Sequence, residues 1–238
     1  MKENNSFFKG IKDGLPICIG YFAVSFAFGI SAVGIGLSWV EALLISLTNL
    51  TSAGQLAGAP IIATGGSLIE MAVSQLVINS RYALMSVSLS QKLGQSVRPI
   101  HRFLIAFGNT DENFAMAMSN KDAVGKNYMF GLILTPILGW TGGTFFGAIA
   151  DSVLPAAVIS ALGLAIYGMF VAIVVPVMKK QKPVLLCVIL AIALSCGFEF
   201  LPMLSGVPDG FVIIICAVTA SAVFAVLSPV SVAEEGEA

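Results

Sequence analysis

The stretch Gln75–Ser90, QLVINSRYALMSVSLS, decides how the chain is read, because it carries a charge inside an apolar run. That run extends from Leu68 to about Ser90, and one transmembrane helix needs roughly 20 such residues. Near its middle stands Asn79-Ser80-Arg81, and Arg81 is the only lysine or arginine well inside any apolar run of the chain. A cationic side chain at the bilayer centre costs at least about 2.5–3.5 kcal/mol, so it faces a partner or a water-filled cavity and by default marks function. On a continuous helix Gln75, Asn79, Tyr82, Ser86 and Ser90 share one face, while Ser74, Arg81 and Ser88 share another, roughly opposite. A helix polar on two sides is poorly suited to lipid, so this span is expected at the centre of a bundle.

The rest of the composition supplies the setting. Of the 238 residues 57% are hydrophobic and 11% charged, against about 25% charged in a soluble domain. The apolar runs are continuous rather than alternating, which predicts an all-α, polytopic membrane protein and not a barrel. About seven apolar segments are expected in one helical bundle. Residues 1–14 read as a cytoplasmic leader, 15–228 as a transmembrane transporter domain and 229–238 as a flexible acidic tail. The polar first dozen residues and the absence of a small-residue cleavage site predict no cleavable signal peptide. Cys18, Cys187, Cys196 and Cys216 fall in apolar runs without a CxxC pair, so they read as packing residues, and no metal or other cofactor is expected. The net charge of −1 says nothing about partners, and no nucleic-acid partner is expected.

Span 1 is expected over about Leu15–Leu37, with Ser25, Gly29, Ala32 and Gly36 as a close-packing stripe. The run Val40–Ala63 is apolar but interrupted by Thr48-Asn49-Leu50-Thr51-Ser52-Ala53-Gly54-Gln55, which leads into Gly58-Ala59-Pro60. Two readings fit it. One is a broken or re-entrant helix, whose irregular backbone needs protein or a water-filled cavity around it. The other is a continuous helix with a close contact at Gly54 and Gly58. Gly65-Gly66-Ser67 then forms a tight turn before the Arg81 span. Lys92, Arg98 and Arg102 make a basic connector, with His101 as a solvated loop residue. In Phe103–Met118, Asn109 with Glu112 three residues later reads as a capping box. Alternatively, Asp111 and Glu112 are acids at a half-helix terminus that meet substrate, a proton or Arg81. Either Arg81 anchors the fold through one of them while Asn79 faces substrate, or the helix unwinds between Asn79 and Arg81.

Later spans are expected at about Met129–Ala150, where Gly139, Gly143 and Gly147 give another close-packing face, and at Val153–Met178, Val184–Phe200 and Gly210–Leu227. A faint echo at an offset of 114 residues sets Ala42, Ser46 and Gly54 against Ala156, Ser160 and Gly168, too few matches to establish a repeat. The leader and the Lys179-Lys180-Gln181-Lys182 turn suit the cytoplasm, which predicts a multi-pass membrane protein with a cytoplasmic N-terminus. Two routes join these ends. In one, Val40–Ala63 is re-entrant and the whole Lys92–Lys126 region is cytoplasmic. In the other, Val40–Ala63 and Phe103–Met118 both cross.

In order and spacing these features resemble the AzlC family, the large subunit of bacterial branched-chain amino acid exporters. The resemblance rests on Gly14-Leu-Pro16, Phe28-Gly29, Ala53-Gly54-Gln55, Asn79-Ser80-Arg81-Tyr82, Ser86-Val-Ser88-Leu89 and Thr110-Asp111-Glu112, and it covers nearly the whole chain. The glutamine follows Ala53-Gly54 directly, where one or two intervening residues are expected. The resemblance implies export of branched-chain amino acids or close analogues across the bilayer, together with a small AzlD-like membrane subunit. An amino acid needs an anion site, an ammonium site and an apolar pocket. Arg81 or a half-helix N-terminus near Gly54 offers the first, and Asp111 or Glu112 the second or a coupling proton. Gln55 and Asn79 complete the candidate binding or coupling residues.

Other classes fit less well. No GxxxxGK[ST] loop is present for nucleotide-driven transport. An intramembrane enzyme would need a nucleophile–base pair or a metal cluster, and the chain has one histidine and neither H-E-x-x-H nor G-x-S-x-G. A membrane scaffold whose buried polar groups only bind a partner helix remains a reading that the residues allow.

Overall fold

The computed structural model describes residues 3–150, 174–201 and 206–228, together with the single positions 155, 157, 168 and 171. The expected span at Val153–Met178 falls largely outside the described residues, as do Ala156 and Ser160 of the 114-residue echo. The protein is an all-helical membrane protein. Among the described residues four helices are long and apolar enough to cross a bilayer: α1 (Phe7–Gly34), α8 (Lys126–Ala150), α9 (Lys182–Phe200) and α10 (Asp209–Leu227, apolar from Gly210). Between α1 and α8 lie six shorter helices: α2 (Trp39–Thr48), α3 (Ser52–Ala63), α4 (Leu68–Asn79), α5 (Arg81–Lys92), α6 (Pro99–Phe107) and α7 (Asp111–Met118).

Helix α1 starts at Phe7, behind the N-cap Ser6, so residues 7–14 of the stretch read as a leader are its first two turns. It lies against α8 over almost its whole length, and the two run parallel. A Cβ placed on Gly131, Gly139, Gly143 or Gly147 would collide with the backbone of Phe7, Cys18, Phe22 or Phe26 in turn. One on Gly29 would collide with the backbone of Thr144 and Ala148. Ser25 and Gly29 of the stripe expected on span 1 therefore face the Gly139, Gly143 and Gly147 stripe so that backbones pack closely, whereas Gly36 lies past the end of α1 with φ +100° and packs against nothing among the described residues. Gly143→Val is expected to destabilise the protein by more than the roughly 1–3 kcal/mol of ordinary overpacking, because the obstacle is backbone. Gly34→Ala, with nothing within 4 Å of a new Cβ, should leave the melting temperature of the detergent-solubilised protein unchanged.

The parallel pair defines two ends, a basal one carrying both N-termini and a distal one. At the basal end β1 (Glu3–Asn4) pairs in parallel with β2 (Ala123–Val124). Leu93 bridges to Val124, and Tyr128, fully buried, donates to Asp13 at 2.9 Å. At the distal end Phe28, Ala32, Leu37, Ala42, Ala59 and Ala148 form one apolar cluster.

Against this frame the short helices form two hairpins and one kinked traverse. α2 is opened by a capping box in which Ser38 and Glu41 exchange hydrogen bonds (2.7 and 3.2 Å). It descends from the distal end past Thr144, whose hydroxyl meets Ser46 at 2.7 Å. The chain breaks at 49–51, and α3 climbs back until Ala59 rejoins the distal cluster. The interruption expected in Val40–Ala63 is thus present. α3 ends on Gly65, which takes φ +69°, and Gly66 N–H returns to Ile61 O at 2.7 Å, a left-handed stop that favours glycine.

The α6–α7 hairpin enters from the opposite end. Ser96 accepts from Lys126 N–H at 3.0 Å, His101 packs edge-on against Phe130, Gly108 abuts Ile133, and the chain returns to Asn120, which donates to Tyr128 at 2.9 Å. The Lys92–Lys126 region therefore starts and ends at the basal end while its middle reaches inward, which neither expected route described. His101 is not a loop residue; its Nδ1 accepts from Arg98 N–H at 3.1 Å in the first turn of α6. Helices α4 and α5 together run from the distal to the basal end, from Glu70, which accepts from Gly210 N–H at 3.0 Å, to Lys92, which donates to Asn120 O.

The expected continuous span Leu68–Ser90 is instead kinked at Ser80. The backbone there stays right-handed (φ −55°, ψ −32°), but Ser80 N–H reaches Val77 O at 3.4 Å, Ala83 N–H reaches Ser80 O at 3.1 Å, and the Ser80 hydroxyl takes Val77 O at 2.9 Å. Serine back-bonding of this kind competes with the helical ladder and bends the helix.

Candidate functional site

The two hairpin tips and the Ser80 kink meet at one level, beside Tyr21 near the midpoint of α1 and Trp140 near the midpoint of α8. They enclose a cavity of about 680 Å³. One hairpin contributes Leu50, Ser52 and Ala53, the kink Ile78, Arg81 and Tyr82, and the other hairpin Thr110, Asp111 and Glu112. Pro16, Ile17 and Val24 of α1 supply an apolar side.

Both α3 and α7 begin at this cavity. Thr51 caps α3 by accepting from Gly54 N–H at 3.4 Å, and Thr110 caps α7 by accepting from Asn113 N–H at 3.4 Å. The capping box expected from Asn109 to Glu112 is replaced by a simple cap one residue on, at Thr110. Asn109 instead donates to Ser86 at 3.2 Å, tying the hairpin to α5. Asp111 and Glu112 occupy the first turn of α7, where the helix dipole favours anions.

Arg81 forms an ion pair with Asp111. Its guanidinium also lies over the Tyr82 ring, 4.9 Å from the centroid, and reaches the Tyr82 hydroxyl at 3.4 Å. The Arg81 and Asp111 side chains remain 45% and 47% exposed, so a ligand can reach both. Glu112 accepts a hydrogen bond from the Tyr21 hydroxyl. One guanidinium thus faces two carboxylates, and the cavity carries a surplus negative charge able to hold an ammonium group.

Of the candidate residues the structure brings Arg81, Asp111 and Glu112 into this cavity and places Gly54, Gln55 and Asn79 behind its walls. Gln75 donates to Gly54 O at 2.8 Å and accepts from Asn79 at 3.1 Å, so the Gln75/Asn79 face fastens α4 to α3. Arg81 does anchor to Asp111, but Asn79 turns to Gln75 rather than to the cavity, and at Ser80 the hydrogen-bond ladder is interrupted while the backbone stays right-handed, so each alternative holds only in part. Gln55 is 1% exposed. It donates to Ser46 and accepts from the Trp140 indole N–H, each at 2.8 Å.

Tyr21 and Trp140 line the cavity without having been singled out in the sequence, beside Tyr82 and Thr110 of the two motifs that carry Arg81 and Asp111. Trp140 did carry a signal. Tryptophan favours the membrane–water interface, and a buried indole N–H needs a partner, so a tryptophan at mid-span implies a polar contact there.

The chain matches the AzlC protein family over residues 16–154. It belongs to the AzlC family. Inner membrane protein YgaZ of Escherichia coli (strain K12) is 32% identical over 194 residues, which cover 79% of this chain and 78% of that protein. An uncharacterized membrane protein of Archaeoglobus fulgidus is 33% identical over 183 residues, 76% of this chain and 80% of that one. No solved structure matches the chain. The AzlC match includes both hairpins, the kink and all of α8, so it takes in every residue of the cavity wall.

Proposed function

We propose that this AzlC-family protein exports branched-chain amino acids or close analogues from the cytoplasm, working with a small AzlD-like membrane subunit. The observation that carries the reading is the charged cluster Arg81–Asp111–Glu112 in an otherwise apolar cavity at the meeting point of two broken hairpins. Substrate sites of secondary transporters favour such a place, near the bilayer midplane between discontinuous helices whose N-termini point at anionic groups. The volume lies within the roughly 300–1,000 Å³ of small-molecule sites. The substrate carboxylate meets Arg81, its ammonium meets Glu112, and its side chain lies along Ile17 and Val24. Both hairpins are read as re-entrant, one from each membrane face. Dipeptide-fed cells should release less leucine, isoleucine and valine when this gene is absent, and proteoliposomes should show flux only with both subunits. Absence of flux under any gradient would favour the scaffold reading.

Lys9, Lys12, Lys92, Arg98, Lys121 and Lys126 lie on the basal side, which by the positive-inside rule faces the cytoplasm. In a variant freed of its four cysteines, Thr64→Cys should react with an impermeant maleimide added outside intact cells. Arg98→Cys should react only after permeabilisation; the reverse pattern would invert the orientation.

A further inference from the structure

The Ala53-Gly54-Gln55 segment raises a question that substrate contact does not answer. Gln55 is buried with both ends of its carboxamide occupied, yet it is tied to one cavity residue. Its Oε1 accepts from Trp140, its Nε2 donates to Ser46, and Ser46 meets Thr144 at 2.7 Å. Ser46, Gln55, Trp140 and Thr144 are all 3% exposed or less. On the other side the Tyr21 ring stands edge-on to Trp140, with centroids 5.2 Å apart at 72°, and Tyr21 is itself held by Glu112. The indole is therefore fixed at its polar edge and on its ring face.

We propose that Trp140 sets the size of the substrate side chain accepted by the cavity, and that Gln55 is a positioning residue acting through it. The proposal rests on the export reading above and adds to it a determinant of specificity. A wall fixed on two sides cannot retreat from a larger ligand, and rigid apolar walls discriminate single methylenes by roughly 10–200-fold. An unpaired buried N–H is unfavourable, so without Gln55 the indole turns toward another acceptor and the wall moves. This accounts for a buried glutamine on α3 whose polar groups all face away from the cavity.

The chain has two tryptophans, and Trp39 lies at the distal end, 49% exposed. Trp39→Phe therefore leaves Trp140 as the sole indole of this chain, and the small subunit is used with any tryptophan of its own replaced by phenylalanine. In proteoliposomes containing both subunits, leucine should change the emission of this variant saturably, with the half-point of leucine transport. Trp140→Phe and Gln55→Met should each lower the leucine-to-phenylalanine flux ratio roughly tenfold, and Gln55→Met should add nothing in the Trp140→Phe background. Leucine flux through the Trp39→Phe protein without any change in emission would overturn the proposal, as would additive effects of the two substitutions. Absence of leucine flux in the wild-type complex would instead overturn the export reading, a result separable from either.

Discussion

With Arg81 replaced by alanine, cells should release no more branched-chain amino acid than cells lacking the gene, while the protein stays in the membrane. The substitution removes the only cation lining the cavity among the described residues and leaves Asp111 and Glu112 facing a carboxylate-bearing substrate with like charge. Arg81→Lys should recover part of the flux. It keeps the charge but loses the planar fork that grips a carboxylate through two parallel hydrogen bonds. Arg81 also holds the α6–α7 hairpin to α5, so loss of export alone would not tell substrate contact from anchoring. The exchanged pair Arg81→Asp with Asp111→Arg separates them. An anchor is indifferent to which helix carries which charge, and the exchange would then restore both thermal stability and efflux. If stability returns and efflux does not, the guanidinium is needed on α5 itself, where it meets substrate. Efflux from Arg81→Ala at the wild-type rate would remove Arg81 from the site.

What could be read from the sequence divides along the range of the forces involved. The cost of a buried charge and the length needed to span a bilayer are local properties, so Arg81 and the long spans were legible. The break in Val40–Ala63 was legible for the same reason, since Thr48, Asn49, Thr51 and Ser52 compete with the helical backbone where they stand. The interruption at Ser80 was legible only as one of two alternatives, because a single serine bends one helix and merely points outward on another. Register failed where two residues could do the same work. Asn109 and Thr110 are both good caps, and Glu112 at the matching spacing favoured Asn109. Its engagement with Ser86, 23 residues away, leaves the cap to Thr110. The return of the Lys92–Lys126 region to its starting end depends on β1 meeting β2 and on Asn120 meeting Tyr128. These contacts join segments far apart in the chain and leave no periodic trace. Gln55 was found by its motif, but its bond to Trp140 was not, since nothing near it in sequence announces that residue.

Glu112 separates charge from hydrogen bonding within the cavity. Glu112→Gln retains an acceptor for the Tyr21 hydroxyl but removes the carboxylate, whereas Tyr21→Phe retains the carboxylate and removes the hydroxyl. If Glu112 receives the substrate ammonium, Glu112→Gln should lower the initial efflux rate at least about 30-fold, because leaving a desolvated charge without its partner costs roughly 2–5 kcal/mol. Tyr21→Phe should then cost less than Glu112→Gln, on the order of tenfold, near the low end of the roughly 1.5–3 kcal/mol that one hydrogen bond to a charged group contributes. The opposite order has a distinct meaning. If Tyr21→Phe is the more damaging, the bond between α1 and α7 matters as a latch between the frame and the basal hairpin, and the ammonium is held elsewhere. Asp111 is the alternative acceptor, but it is engaged by Arg81. An ammonium placed there would have to displace a guanidinium already fixed against Tyr82, whereas at Glu112 it need only join a hydroxyl. That difference favours Glu112, and paired efflux measurements on the two variants decide it.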